Sequence, residues 1–363
     1  MRWITLATLL MTSLSHAGEV AIVRNEHTLK ITIDDEVFSV YNLGHDYAKP
    51  FMYPVAAPGA LEQLVAAGHG EVFVAQEQAP LKRGGTAEYG SILSIEKVEL
   101  PWLKIAGQDD AIHQHDVIPV SGFITRKIES EASKEYDHIH HKGIWMSIDE
   151  VNDIRYWAEK GVIRNSEVAV DQAAGDRVTF NVTNHWLGAV GEPLLIEATR
   201  ITVFADRLLS YDTTFTAVGE SVTFDDTKEG LFGIRLPNAM REAVANAPVV
   251  GSNGEVGSKL LWGKSMDWID YTGPVDGRLC GVTVMDHPDN FRPSRYHVRD
   301  YGLFSISPFG ESSYTNGAQA AAPYTIEKDG TLRLRYGLYV HAGDTDSAHV
   351  ADAFRQFVDA TRP

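Results

Sequence analysis

Apolar and polar residues alternate along most of this chain with a period of two, and that alternation restricts the fold more than any other feature of the sequence. In Arg177-Val178-Thr179-Phe180-Asn181-Val182 every second residue is apolar, so an extended backbone would be oily on one face and wet on the other. Ile196, Ala198, Ile201 and Val203 sit among Thr and Arg from Leu194 to Phe204. Ala205-Asp206 then supplies a turn, and Leu208 to Ala217 runs on. Near the start, Glu19 to Val23 and His27 to Ile33 carry β-formers, Asp34-Asp35 marks a turn, and Val37 to Tyr41 returns as a hairpin. Gly281 to Met285, Gly302 to Ser307 and Thr331 to Val340 predict further strands. Many short strands separated by turn signals predict an all-β fold, a large antiparallel β-sandwich.

Helical periodicity is scarce. Val350, Ala353, Phe354, Phe357 and Val358 share one face, which predicts a single C-terminal amphipathic helix, capped by Asp346 and docked on the outside of the sheets. Gly59 to Val65, after Pro58, predicts a short turn of helix. The linker-like stretches Gly251 to Lys259 and Asn316 to Pro323 are short and read as loops, so residues 18–363 are expected to form one domain.

The first residues follow another pattern. Arg2 is positive, Ile4 to Leu14 is an uncharged and mostly apolar run, and Ser15-His16-Ala17 offers small residues where a signal peptidase cuts. A signal peptide is therefore expected over residues 1–17, with a mature bacterial protein that is periplasmic or secreted. The run is too short to span a bilayer, and no other stretch of the chain is apolar enough, so membrane insertion is not expected.

Charge narrows the partners. Lys and Arg number 32 against 49 Asp and Glu, a formal net charge of −17 that would repel a nucleic-acid backbone. An anionic ligand would need a local basic island. Cys280 is the one cysteine, so an internal disulfide and a cysteine-based zinc site are both excluded.

Histidine is unevenly placed. Asp137-His138-Ile139-His140-His141-Lys142-Gly143-Ile144-Trp145 is the densest cluster. On an extended backbone His138 and His140 would face one way, and Asp137 and His141 the other. Two imidazoles on one face near a carboxylate suit acid–base work or metal binding. His113 and His115 form a second pair that could face the same region. Between Asn290 and Arg299 lie Arg292, Arg295 and Arg299 with no acid, a positive island flanked by His287 and His297. Arginine forks bind carboxylate and sulfate well. Glu229, followed by Gly230 and later Arg235, offers an acid or base beside a carboxylate clamp. Trp145, Trp157 and Trp186 add aromatic surface of the kind that stacks on sugar rings, and Asn152 could bond a hydroxyl beside them. The sequence holds no G-x-S-x-G elbow, H-E-x-x-H pair, P-loop or dinucleotide glycine fingerprint.

Several of these stretches occur in a familiar order. Lys49-Pro50-Phe51-Met52-Tyr53-Pro54, the 137–145 cluster, Val151-Asn152 with Trp157, and Glu229-Gly230 with Gly233-Ile234-Arg235 come first. Trp268-x-Asp270-Tyr271-x-Gly273, Asp286-His287-Pro288-x-Asn290 and His297-x-Arg299-x-Tyr301-Gly302 follow. From about Lys49 to His341 the chain resembles the soluble family known as "methane oxygenase PmoA-like". A membrane methane monooxygenase subunit needs transmembrane helices, and this chain has no such run, so that activity is rejected. The resemblance implies a companion of carbohydrate-degrading systems, with a large β-sandwich similar to the galactose-mutarotase-like supersandwich.

The first functional expectation is an exported carbohydrate-active enzyme of the lyase, dehydratase or epimerase type. His138, His140, Glu229, His287 and His297 would be catalytic. Lys142, Trp145, Asn152, Arg235, Asn290, Arg299 and Tyr301 would hold a sugar or an anionic oligosaccharide. A carbohydrate-binding protein without catalysis is the second expectation. The third is a metal-dependent enzyme with a divalent ion at His138, His140 and a distant His or Glu; otherwise no cofactor is called for, and nothing in the sequence fixes an oligomeric state.

Overall fold

The structure is a computed structural model that describes residues 18–127, 138–245 and 247–362. The expected signal segment, residues 1–17, and Asp137 lie outside the described residues. Two large antiparallel sheets face one another. One has nine strands, running in space from Ala174–Gly175 through Val20–Arg24, Thr28–Ile33, Glu36–Asn42, Phe51–Val55, Ile144–Met146, Phe232–Arg235 and Leu303–Ser307 to Arg295–Val298. The other has eight, with the long strands Arg177–Leu187, Pro193–Phe204, Leu208–Ala217 and Thr331–Ala342 side by side, then Arg278–Asp286 and Trp268–Val275. The all-β antiparallel sandwich expected from the alternation is the observed architecture.

Period-two patterning decides what lies between the sheets. Leu29, Ile31, Met52, Ile144, Phe232 and Phe304 point inward from the nine-stranded sheet and meet Phe180, Ile201, Leu209, Phe215, Leu334 and Leu338 from the eight-stranded one. Aromatic pairs cross the interface: Phe232 packs 4.7 Å from Tyr211 and stacks 5.7 Å from Tyr336. Burial of such side chains contributes about 1.5–3 kcal/mol each, so reversing the alternation in any central strand would expose this core.

The other face of the eight-stranded sheet carries Phe204, Leu208 and Met285. The helix Val350–Ala360 covers them with Val350, Ala353 and Phe357, as its apolar stripe requires. Asp346 does not cap it. The helix starts after His349, whose φ of 51° turns the chain in, and no side chain caps the first turn; Asp346 instead accepts the His349 N–H through its backbone carbonyl, at 3.1 Å.

A five-stranded sheet built around Gly70–Val74 and Ile92–Glu99 has its own core, covered by Leu61 and Leu64 of the short helix Ala60–Ala67. Phe73 and Ile118 dock it against Val37, Val40 and Ala56 on the outer face of the nine-stranded sheet. Among the described residues no helix is long and apolar enough to cross a membrane.

Candidate active site

One row of residues crosses the outer face of the nine-stranded sheet. Trp145 is opposite Gly233, Gly233 is opposite Ser305, and Ser305 is opposite His297. The alternation that sends Ile144, Ile234, Ile306 and Val298 into the core leaves this row, and Arg235 one step along, on the outer side. A Cβ at Gly233 would lie 3.0 Å from Trp145 Cζ2 and 3.1 Å from Trp157 Cη2, so both indoles would have to shift by a few tenths of an ångström to admit a side chain.

Above the row sits the histidine cluster, and its backbone is not extended as the alternation rule expected. Residues 138–141 form a turn closed by the His141 N–H on the His138 carbonyl at 2.9 Å. The turn brings all three rings to one side. His138 stacks on His141 at 4.6 Å, His140 meets both rings edge-on, and His141 stacks on Trp145 at 5.2 Å. The His138 ring also lies parallel to that of Tyr301 at 5.9 Å. His141, assigned to the opposite face on an extended backbone, is at the centre of the cluster.

Two hydrogen bonds fix tautomers. A guanidinium can only donate, so the contact of Arg235 Nη1 with His141 Nδ1 at 3.1 Å makes Nδ1 the acceptor and places the proton of neutral His141 on Nε2. A carbonyl can only accept, so the contact of His297 Nδ1 with the Lys228 carbonyl at 2.9 Å places the His297 proton on Nδ1 and leaves Nε2 a bare base. Burial keeps both rings neutral: it pushes His297 down to about 4 and His141 well below the usual imidazole value. Burial likewise lowers His140, to about 3, aided by the Lys49 ammonium.

Burial raises the Glu229 carboxyl, partly opposed by Lys228, His138 and Arg299 and aided by Asp149. Arg235 lies 5.0 Å over the Tyr301 ring and Arg299 lies 5.5 Å over Trp262. The buried atoms His141 Nε2, His297 Nε2, Ser305 Oγ, Trp145 Nε1 and Trp262 Nε1 have no hydrogen-bond partner among the described residues. Each such group costs about 1–3 kcal/mol unless something satisfies it. Their gathering on one sheet face makes this face the candidate site for a polar ligand.

Beneath the turn, two lysines share one carboxylate. Lys49 Nζ donates to Glu159 Oε1 at 2.8 Å and to the His140 carbonyl at 2.9 Å. Lys142 Nζ donates to the same Oε1 at 2.5 Å and to the Ile139 carbonyl at 3.0 Å. Lys142 is therefore turned inward, fixing the histidine turn, and does not face a ligand as the sequence reading had it.

His138, His140, Glu229, His297, Arg235, Arg299, Tyr301 and Trp145 thus meet in one region. Trp145 and Trp157 are only 2 % exposed and form its floor, not an open stacking platform. The other expected members stand elsewhere. His287 is on the far side of the sandwich, its ring 5.5 Å from Phe357 under the C-terminal helix. Asn290 is spent on Asp286 and on the Arg335 backbone. Asn152, in a left-handed turn, bonds the Ser221 carbonyl and the Thr223 N–H. Arg295 pairs with Glu311, and Arg292 donates to the Ala322 carbonyl. Trp186 is core, bonded to buried Glu197. His113 and His115 belong to the five-stranded sheet region, packed near Trp102. Among the described residues the group of three ligands close enough for a metal is Glu150, Asp153 and Asp225, which contains no histidine.

Sequence reasoning missed His141, Glu159, Trp262 and Ser305. Ser305 carries a signal in hindsight: with Ser307 it alternates against Phe304 and Ile306 in the strand Leu303–Ser307, which marks it as outward. Glu159 carries none, because its partners are distant in sequence.

A family model described as "Family of unknown function (DUF6807)" matches residues 115–355. No curated protein matches the chain in sequence. Among solved structures, the chain is similar to a galactose 1-epimerase from Lactobacillus acidophilus NCFM, at 9 % identity and a TM-score of 0.30, covering 90 % of this chain and 98 % of that one. It is similar also to a protein in the glycosyl hydrolase family 38 from Enterococcus faecalis, at 11 % identity and a TM-score of 0.34, covering 95 % of this chain and 47 % of that one. A GalM/aldose epimerase homologue from C. elegans is similar at 9 % identity and a TM-score of 0.26, covering 90 % and 100 %.

Proposed function

The chain belongs to the DUF6807 family of unknown function, and from the groups gathered on its nine-stranded sheet we propose that it is an exported carbohydrate-active enzyme acting on a uronate. The observation that carries this reading is the pairing of opposite tautomers, a bare His297 Nε2 and a protonated His141 Nε2, on a face that also holds Arg235 and Arg299. Arg235 and Arg299 receive the sugar carboxylate. His297 Nε2 takes the proton α to it, and the enolate-like charge that develops is held by the guanidinium groups and the His141 N–H. Glu229, whose carboxyl burial raises above its ordinary value, donates its proton to the departing oxygen. The C–H electron pair becomes the new C=C bond as the C–O bond breaks. If the oxygen does not leave, reprotonation on the other face gives an epimer.

Of the stretches behind the PmoA-like resemblance, 138–145, 233–235 and 297–302 contribute to this site, while Asn152, His287 and Asn290 stand elsewhere. Export is part of the proposal: purified mature protein would begin at Gly18. The deciding measurement is ultraviolet absorbance during incubation with uronate oligosaccharides, since only elimination conjugates a double bond to the carboxylate. His297→Gln is expected to lower turnover at least about 100-fold with binding nearly unchanged. Uronate binding by the wild type without elimination or epimerisation would make it a binding protein instead, and a fully active His297→Gln would remove His297 as base.

A further inference from the structure

The base and the acid of the site meet at one peptide group. The Lys228 carbonyl, which accepts the His297 Nδ1–H at 2.9 Å, belongs to the peptide bond that leads into Glu229. Tilting that peptide therefore moves the partner of the imidazole and the stem of the carboxyl together. We propose that Tyr314 is the positioning residue that sets the tilt, and with it the tautomer of His297 and the placing of base against acid; this rests on the functional reading above.

Tyr314 is 3 % exposed and closes the short helix Glu311–Tyr314. Its hydroxyl donates to the Lys228 carbonyl at 2.9 Å, the same length as the His297 bond. The Gly230 N–H also reaches this carbonyl, at 3.2 Å, but Gly230 belongs to the same loop and moves with it. Tyr314 holds the carbonyl from outside the loop. A carbonyl can only accept, so donors arriving from two other elements fix its direction.

The rest of the loop is pinned at its ends. The Asp226 carboxylate accepts the Ser312 and Ser313 N–H groups at 3.0 and 2.9 Å, and the Glu229 carbonyl accepts the Asp149 N–H at 2.9 Å. Those bonds set where the loop begins and ends, and leave the peptide between Lys228 and Glu229 to Tyr314. The His297 ring is wedged edge-on against Trp262 and Tyr314, with centroids 6.1 and 6.0 Å away, and those two rings lie 5.6 Å apart. Held in that wedge, the imidazole does not follow a carbonyl that turns away. Its Nδ1–H then loses its acceptor, and with it the reason to prefer one tautomer.

The test is heteronuclear NMR of the protein isotopically labelled at histidine, which reads each ring's tautomer from its two nitrogen shifts, beside steady-state kinetics on uronate oligosaccharides. The His297 signals are identified by their loss in His297→Gln. Wild type is expected to show His297 as the Nδ1–H tautomer. Tyr314→Phe keeps the ring and removes only the hydroxyl. It is expected to mix the two tautomers and to lower kcat about tenfold with KM unchanged. In a variant whose circular dichroism matches wild type, neither change, or either one without the other, overturns the positioning role. A wild-type His297 in the Nε2–H form overturns it as well. If wild type does not turn over uronates, the functional reading falls and the NMR decides alone: mixed tautomers in Tyr314→Phe keep Tyr314 as the group that orients His297, and unchanged shifts remove it.

Discussion

At the scale of single residues, two histidines of the same type are given opposite jobs by what touches Nδ1. Arg235 can only donate and the Lys228 carbonyl can only accept, so His141 presents N–H and His297 presents a lone pair. This has a pH consequence with a definite sign. His297 acts only when neutral, and burial holds it at about 4, so kcat/KM rises with pH through about 4 rather than near the 6.5 or so of a free imidazole. Glu229 acts only when protonated, and burial holds its carboxyl above the ordinary value, so activity falls again as it ionises. The profile is a bell whose acid limb lies near 4 and whose alkaline limb lies above the ordinary carboxylate value. A bound uronate raises the His297 pKa by charge attraction, so the acid limb of kcat lies above that of kcat/KM. Rate measurements from about pH 3 to 8 check this; an acid limb near neutrality in kcat/KM would contradict the assignment. His297 is legible in the sequence as a site residue, and His141 only as one of a histidine cluster. Their tautomers are not, because the partners that set them come from strands and turns distant along the chain.

At the scale of elements, the turn at residues 138–142 is where local pattern and structure part. An extended run was the expectation, yet the turn wins because Lys49 and Lys142 anchor its carbonyls from below. The lysines are tolerable there only because Glu159 faces both. Removing Glu159 leaves two buried ammonium groups together, whereas removing Lys49 leaves a balanced pair. Glu159→Gln is therefore expected to cost about 3 kcal/mol, the low end for a broken buried pair since the side chain is 17 % exposed, and Lys49→Met less. Urea unfolding checks the order, and the reverse order would refute the account. Burial lowers Lys49 to about 8, so the unfolded chain binds more protons there between about 8 and 10.4. Its contribution to stability accordingly grows as pH rises through that window, and the Lys49→Met variant should lack the increase.

At the scale of the whole molecule, the stretch 287–294 carries the chain from the eight-stranded sheet to the nine-stranded one. It separates His287 from His297: one ends beneath the C-terminal helix, the other on the far face of the sandwich. Ten residues of sequence become the full thickness of the fold. Phe357→Ala should thus cost about 3–5 kcal/mol by opening a cavity under the helix, and leave uronate binding intact in the folded protein. Thermal unfolding and titration on one sample read both, and a parallel loss of affinity would place the helix in communication with the site.

The existence of many strands, the sidedness of each and the docked helix follow from alternation and amphipathicity, which act between near neighbours and so are written in the sequence itself. The residue types of the site were visible for the same reason: polar, cationic and aromatic groups at outward positions announce themselves. Which of them meet was decided only by how the sheets stack and where the chain crosses between them. Strand register and sheet crossing are set by contacts among residues far apart along the chain, and no local periodicity encodes those.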